Sequence, residues 1–160
     1  MHMREVNDIE ILENVICPLK QDLIAAIEKN ATYDGKSNVD TRLAKTRIYS
    51  PHKYNSQEFF PYIDWLETLN LSDKRCEDSQ VWGLTYTGGD YTRPHDHGHY
   101  RIAGIHYLVA DEGCGVLQLD GSIIEPKEDM IVLSPGYLKH GVLPAENPEA
   151  RRICVVFNLR

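Results

Sequence analysis

The chain has 160 residues, an apolar fraction of 42% and a formal net charge of −7, which suits one domain with a real hydrophobic core. An acidic balance argues against general nucleic-acid binding, which draws on a basic surface, and no apolar run is long enough to span a bilayer. The N-terminal M-H-M-R-E-V-N-D has no apolar segment behind its charges, so no secretory signal is expected and the reading is cytoplasmic.

Cys17, Cys76, Cys114 and Cys154 are widely spaced and form no CxxC pair. Free thiols are therefore expected rather than disulfides or a cysteine-based zinc site. The expected organisation is a single domain over 1–160, with 1–79 as N-terminal helical support and 80–160 as a β core carrying the site.

In chain order, E-V-N-D-I-E-I-L-E-N-V-I reads as an opening strand. Pro18 then stands near the start of a helix in which Leu19, Leu23 and Ile27 recur every four positions on one face. Residues 36–54 are polar and fit either one strand or a long loop. A second helix is expected near 57–69, with Ser56 as a cap and Phe59, Ile63, Leu66 and Leu69 or Asn70 as its apolar side.

From Gln80 the patterning changes to short β-rich runs separated by Gly, Pro and Asp. They are V-W-G-L-T-Y-T, Y-T-R-P-H-D-H, Y-R-I-A-G-I-H-Y-L-V-A, G-V-L-Q-L-D, M-I-V-L-S-P, G-V-L-P and R-I-C-V-V-F-N-L, and L-D-G-S-I-I marks a tight turn. This spacing predicts a mainly β fold, an all-β sandwich or jelly roll from Gln80 onward, with the helices packed outside.

Four of the seven histidines fall between Gly88 and Tyr107, at His95, His97, His99 and His106. Residues two apart on a strand share a face, so His95 and His97 make half of a metal site, and His140 supplies a distant third ligand. His97 and His99 are a competing pair, weakened by Gly98 between them. His106 is expected as a core or supporting group. Three imidazoles accept zinc as well as Fe(II), and residue type alone leaves both metals open. In the last strand Arg152, Cys154 and Val156 share one face, and Arg151, Ile153, Val155 and Phe157 the other. An inward Arg152 needs an anion, and a carboxylate suits its forked donors.

The span Arg93–Leu159 resembles the double-stranded β-helix core of the 2-oxoglutarate and Fe(II)-dependent dioxygenases, with a prolyl-hydroxylase-like arrangement. The likeness rests on P-H-D-H, A-G-I-H-Y-L, L-S-P-G-Y-L-K-H-G-V-L-P and R-R-I-C-V-V-F-N-L. It implies an oxygenase with Fe(II) on His95, His97 and His140 and with 2-oxoglutarate as cosubstrate. Its far carboxylate would lie on Arg152 and Cys154, where the family has Arg-x-Ser. Tyr107 is the first choice of cosubstrate tyrosine among Tyr86, Tyr91, Tyr100 and Tyr107. The chain departs from the family pattern twice: His97 stands where a carboxylate is usual, and Cys154 replaces the serine. The implied reaction is oxidative decarboxylation of 2-oxoglutarate coupled to hydroxylation of a C–H bond in a small-molecule or peptide substrate. Two alternatives remain: a cupin-type three-His dioxygenase that does not use 2-oxoglutarate, and a non-enzymatic metal- or ligand-binding barrel.

Overall fold

The computed structural model describes residues 9–30, 59–71, 80–86, 88–96, 98 and 100–159. The segment 36–54, Ser56, Cys76, His97 and His99 lie outside the described residues; the second helix is capped at Phe59, without a side-chain cap bond, rather than at Ser56.

Nine strands and two helices are described: β1 (Glu10–Leu12), α1 (Lys20–Asn30), α2 (Phe60–Glu67), β2 (Gln80–Tyr86), β3 (Thr92–His95), β4 (Ile102–Ala110), β5 (Leu117–Leu119), β6 (Ser122–Ile124), β7 (Ile131–Pro135), β8 (His140–Val142) and β9 (Arg152–Leu159). They form a five-stranded sheet, β1-β7-β4-β9-β2, and a four-stranded sheet, β3-β8-β5-β6. Every neighbouring pair is antiparallel. This is a double-stranded β-helix, the form of jelly roll that the resemblance implies. β1 joins from the N-terminal segment, with Glu10 opposite Leu133. The hairpin between β5 and β6 turns on Asp120 (φ 47°) and Gly121 (φ 86°). Two positive φ values in a two-residue loop are the Asp-Gly signature that matches the strand twist.

Alternation sorts the large sheet into two faces. Val81, Leu108, Leu133, Ile153, Val155 and Phe157 pack against Leu23, Ile27, Phe59, Tyr62 and Leu66 of the helical layer. Leu84, Tyr86, Ile105, Tyr107, Val132, Cys154 and Val156 face Leu117, Leu119 and Val142 of the small sheet. Burying each such side chain contributes about 1.5–3 kcal/mol. Gly83 lets α1 approach, since a Cβ there would meet the Ile27 side chain. The predicted stripe of α1 is the buried one, at Leu23 and Ile27. On α2 the buried stripe also includes Tyr62, which the periodicity does not pick out. No helix among the described residues is long and apolar enough to cross a membrane.

His106 explains the burial of Tyr62. It lies on the helix-facing side of β4, fully buried. Its Nε2 is 2.8 Å from the Val15 carbonyl and its Nδ1 is 3.0 Å from the Tyr62 hydroxyl. A carbonyl only accepts, so Nε2 carries the proton and Nδ1 accepts from Tyr62. The imidazole is thus a satisfied core group joining three segments. Burial lowers its pKa from 6.5 to about 4, against the pull of the Val15 carbonyl. The unfolded chain therefore binds the proton more readily. Stability from this group is complete above pH about 6.5 and is lost as pH falls towards about 4. The loss amounts to about 3 kcal/mol. Denaturant titrations across that range should show a steeper acid loss in the wild type than in His106→Phe. Equal slopes would contradict the burial argument.

Candidate active site

β3 ends at His95, the residue directly opposite His140 in the β3–β8 register. The two rings lie 4.4 Å apart, centroid to centroid, at 59°. His95 Nδ1 is 2.9 Å from the Arg93 carbonyl. That carbonyl can only accept, so Nδ1 carries the proton and Nε2 presents its lone pair, the tautomer a metal ligand requires. His140 lines a cleft between the sheets together with Leu119, Ile105, Val132, Ser134 and Val156.

The strand expected to continue through His97 stops earlier. The exposed Asp96 carboxylate accepts the Gly98 N–H at 3.0 Å, and Gly98 has φ 44°. This is a local Asx turn. Among the described residues no group of three His, Cys, Asp or Glu side chains converges on one point; His95 and His140 supply two donors, and His97 lies outside the description.

Deeper in the barrel Arg152 is 1% exposed, on the interior face predicted by alternation. Its Nε donates to the Gly115 carbonyl at 3.1 Å, its Nη2 to the Tyr107 hydroxyl oxygen at 3.2 Å, and its Nη1 lies 3.6 Å from Cys154 Sγ. The guanidinium also stacks on the rings of Tyr86 and Tyr107, 4.5 and 5.0 Å from their centroids. A β-bulge in β4 between Tyr107 and Val109 changes the register there, so that Tyr107 and Ala110 both face inward while Leu108 and Val109 pack towards the helices. Bulges commonly re-aim a side chain in this way.

The predicted Arg152, Cys154 and Tyr107 thus form one cluster, and His95 with His140 another. Tyr86 Oη lies 2.6 Å from Thr92 Oγ1, and Thr92 pairs with Val142. The arginine cluster therefore sits about two residues, roughly 6–7 Å, deeper than His140.

Among the described residues no carboxylate pairs with Arg152; its partners are a carbonyl, a thiol and a phenol. A buried cation with neutral partners calls for an anion. Burial pushes the Tyr86 phenol up to about 12 although Arg152 pulls it down, and raises Tyr107 and Cys154 in the same way. All three are therefore protonated near neutral pH. Because Arg152 donates to the Tyr107 oxygen, the phenol proton remains available to an incoming acceptor. The donor set fits a carboxylate, and the separation from the histidines suits a five-carbon dicarboxylate reaching a metal. The sequence pattern offers Tyr86 only as one of four tyrosines. It gives no sign of Thr92 or the Gly115 carbonyl, which the inter-strand register brings in.

No protein-family model and no curated protein matches the sequence. Solved structures match in shape. A Pseudomonas putida prolyl-4-hydroxylase is 17% identical with a TM-score of 0.73, over 96% of this chain and 93% of that one. A Trichoplax adhaerens prolyl hydroxylase, in complex with a hypoxia inducible factor peptide fragment, is 13% identical with a TM-score of 0.66, over 96% and 83%. A viral collagen prolyl hydroxylase from Paramecium Bursaria Chlorella virus-1, solved as a 2-oxoglutarate complex, is 16% identical with a TM-score of 0.61, over 95% of each chain. At these identities the likeness is one of fold. The chain has the double-stranded β-helix fold of the prolyl-hydroxylase-like 2-oxoglutarate/Fe(II) oxygenases, the family that its own motifs resemble.

Proposed function

We propose that this protein is an Fe(II)- and 2-oxoglutarate-dependent oxygenase that hydroxylates a C–H position of a small-molecule or peptide substrate. One observation carries the reading: a fully buried guanidinium without a carboxylate among the described residues, set two residue steps below a pair of facing imidazoles. When bound, Fe(II) and 2-oxoglutarate would supply, with dioxygen as the oxidant, an oxidative decarboxylation in which one oxygen atom turns a substrate C–H into C–OH and the other enters succinate, with release of carbon dioxide.

The chain's own residues do the rest. His95, through Nε2, and His140 hold the metal, with His97 as the third ligand. Arg152 takes the far carboxylate in its forked donor geometry, and Tyr107 donates its free phenol proton to the same group. Cys154 stands in for a hydroxyl as a weaker donor. Tyr86, whose ring centroid lies 4.5 Å from the guanidinium carbon, helps keep it in place. Ile105, Leu119, Val132 and Val156 line the cleft beside His140 and exclude water from it. A buried Arg152 below the imidazole pair favours this reading over a cupin-type three-His enzyme that does not use 2-oxoglutarate.

The test is optical. Anaerobic protein reconstituted with Fe(II) should develop a visible charge-transfer band on addition of 2-oxoglutarate. Absence of the band, with iron shown to be bound, would move the three-His reading ahead.

A further inference from the structure

The ladder between β3 and β8 contains an irregularity on which the imidazole pair depends. Thr92 stands opposite Val142, and His95 opposite His140. β3 therefore spends two residues, Arg93 and Pro94, where β8 spends only Gly141, which makes a β-bulge. Residues three apart on a regular strand face opposite ways. Thr92 and His95 nevertheless both turn inward. Thr92 is buried, with its Oγ1 2.6 Å from the Tyr86 hydroxyl, and the His95 ring lies against that of His140, which lines the cleft. The bulge thus supplies the extra residue that turns His95 towards His140, and it leaves Arg93 and Pro94 exposed.

Three details of the chain fit this role. Proline has no N–H, so the bulge wastes no ladder donor at Pro94. Proline also holds the residue before it extended, which orients the Arg93 carbonyl that lies 2.9 Å from His95 Nδ1. Across the ladder, a Cβ at position 141 would lie 2.8 Å from the Thr92 carbonyl oxygen, 3.0 Å from Pro94 N and 3.3 Å from Pro94 Cα. All three are backbone atoms, so a side chain at 141 forces the bulge itself to move. We propose that Gly141, with Pro94 opposite it, is a positioning residue for the metal centre. The space above Gly141 seats the bulge, and the bulge sets both the direction and the tautomer of His95. The inference rests on the functional reading above, in which His95 is a metal ligand.

The test uses the full chain with zinc alone and needs no turnover. In competition with a chromophoric chelator, Gly141→Ala should bind zinc at least about tenfold more weakly than wild type, the scale on which loss of a ligand's supporting partner acts. In the metal-free protein, long-range ¹H–¹⁵N spectra taken well above the ordinary imidazole pKa report the tautomer. They should show His95 protonated on Nδ1 alone in wild type and as a mixture in Gly141→Ala. Gly83→Ala is the control, since it crowds Ile27 on the helix side of the large sheet. It should lower the melting temperature and leave zinc affinity and the His95 tautomer unchanged. A Gly141→Ala protein that matches Gly83→Ala in both readouts would overturn the proposal, as would a wild-type His95 protonated on Nε2. Should Gly141→Ala fail to fold, Pro94→Gly at its exposed position decides. Zinc binding weaker by about threefold, the scale of freeing a proline-fixed backbone, together with mixed tautomers supports the proposal, and unchanged values defeat it. His95→Ala separates this inference from the functional reading. If that variant binds zinc as well as wild type, both fall; if it loses zinc while Gly141→Ala does not, only the positioning role falls.

Discussion

Arg152→Met should weaken 2-oxoglutarate binding by a factor of about one hundred or more. Removing one member of a buried, hydrogen-bonded charge pair typically costs about 3–5 kcal/mol, and each 1.4 kcal/mol is about tenfold in affinity. Methionine keeps the apolar stem of the side chain as far as the position of Nε and removes the buried charge, so the ligand-free variant should unfold at no lower temperature than wild type. A buried guanidinium held only by a carbonyl, a phenol and a thiol gives the empty protein little that an apolar chain would not. Arg151→Ala is the matched control. That side chain is 52% exposed, 3.9 Å from Glu28 and 4.0 Å from Asp111, and exposed pairs of this kind contribute about 0–1 kcal/mol. Its removal should leave cosubstrate affinity within about twofold, well under 1 kcal/mol. Calorimetric titration of metal-loaded protein under anaerobic conditions measures both. Wild type that binds no 2-oxoglutarate, or an Arg152→Met variant that binds it normally, would defeat the dioxygenase reading.

Metal affinity is the second large effect. His95→Ala and His140→Ala should each lower it by more than a hundredfold, because removing even an outer partner of a ligand typically costs about 10–100-fold. His97→Ala should fall nearly as far and His99→Ala much less. Metal content after dialysis against a graded chelator, alongside 2-oxoglutarate affinity, separates the groups. Equal losses in His97→Ala and His99→Ala would mean that the third ligand is wrongly assigned. Retention of metal by His140→Ala would remove the facing pair from the site altogether.

Much of this is legible in the chain because it depends on short-range periodicity. A period of two places Arg152, Cys154 and Val156 on one face and Ile153, Val155 and Phe157 on the other, and the barrel keeps that division. The helical stripe at Leu23 and Ile27 and the Asp120–Gly121 turn are legible for the same reason: spacing and backbone preference are local properties.

What depends on pairing between distant segments is not legible in this way. His95 faces His140 only because β3 and β8 adopt one register across the small sheet. Continuity of the strand through His97 rests on period two alone, and the Asp96–Gly98 turn ends β3 sooner. His106 stands close to the candidate ligands in sequence, and its core role is compatible with the residue pattern, but its partners are not. Its strand turns it towards Tyr62 and Val15, on the opposite side of the sheet from Tyr107. The residues alone set which side chains share a face within each element, because side-chain direction follows from backbone geometry residue by residue. Which of those faces meet is a tertiary matter, because strand register and sheet closure depend on contacts between residues far apart in the chain.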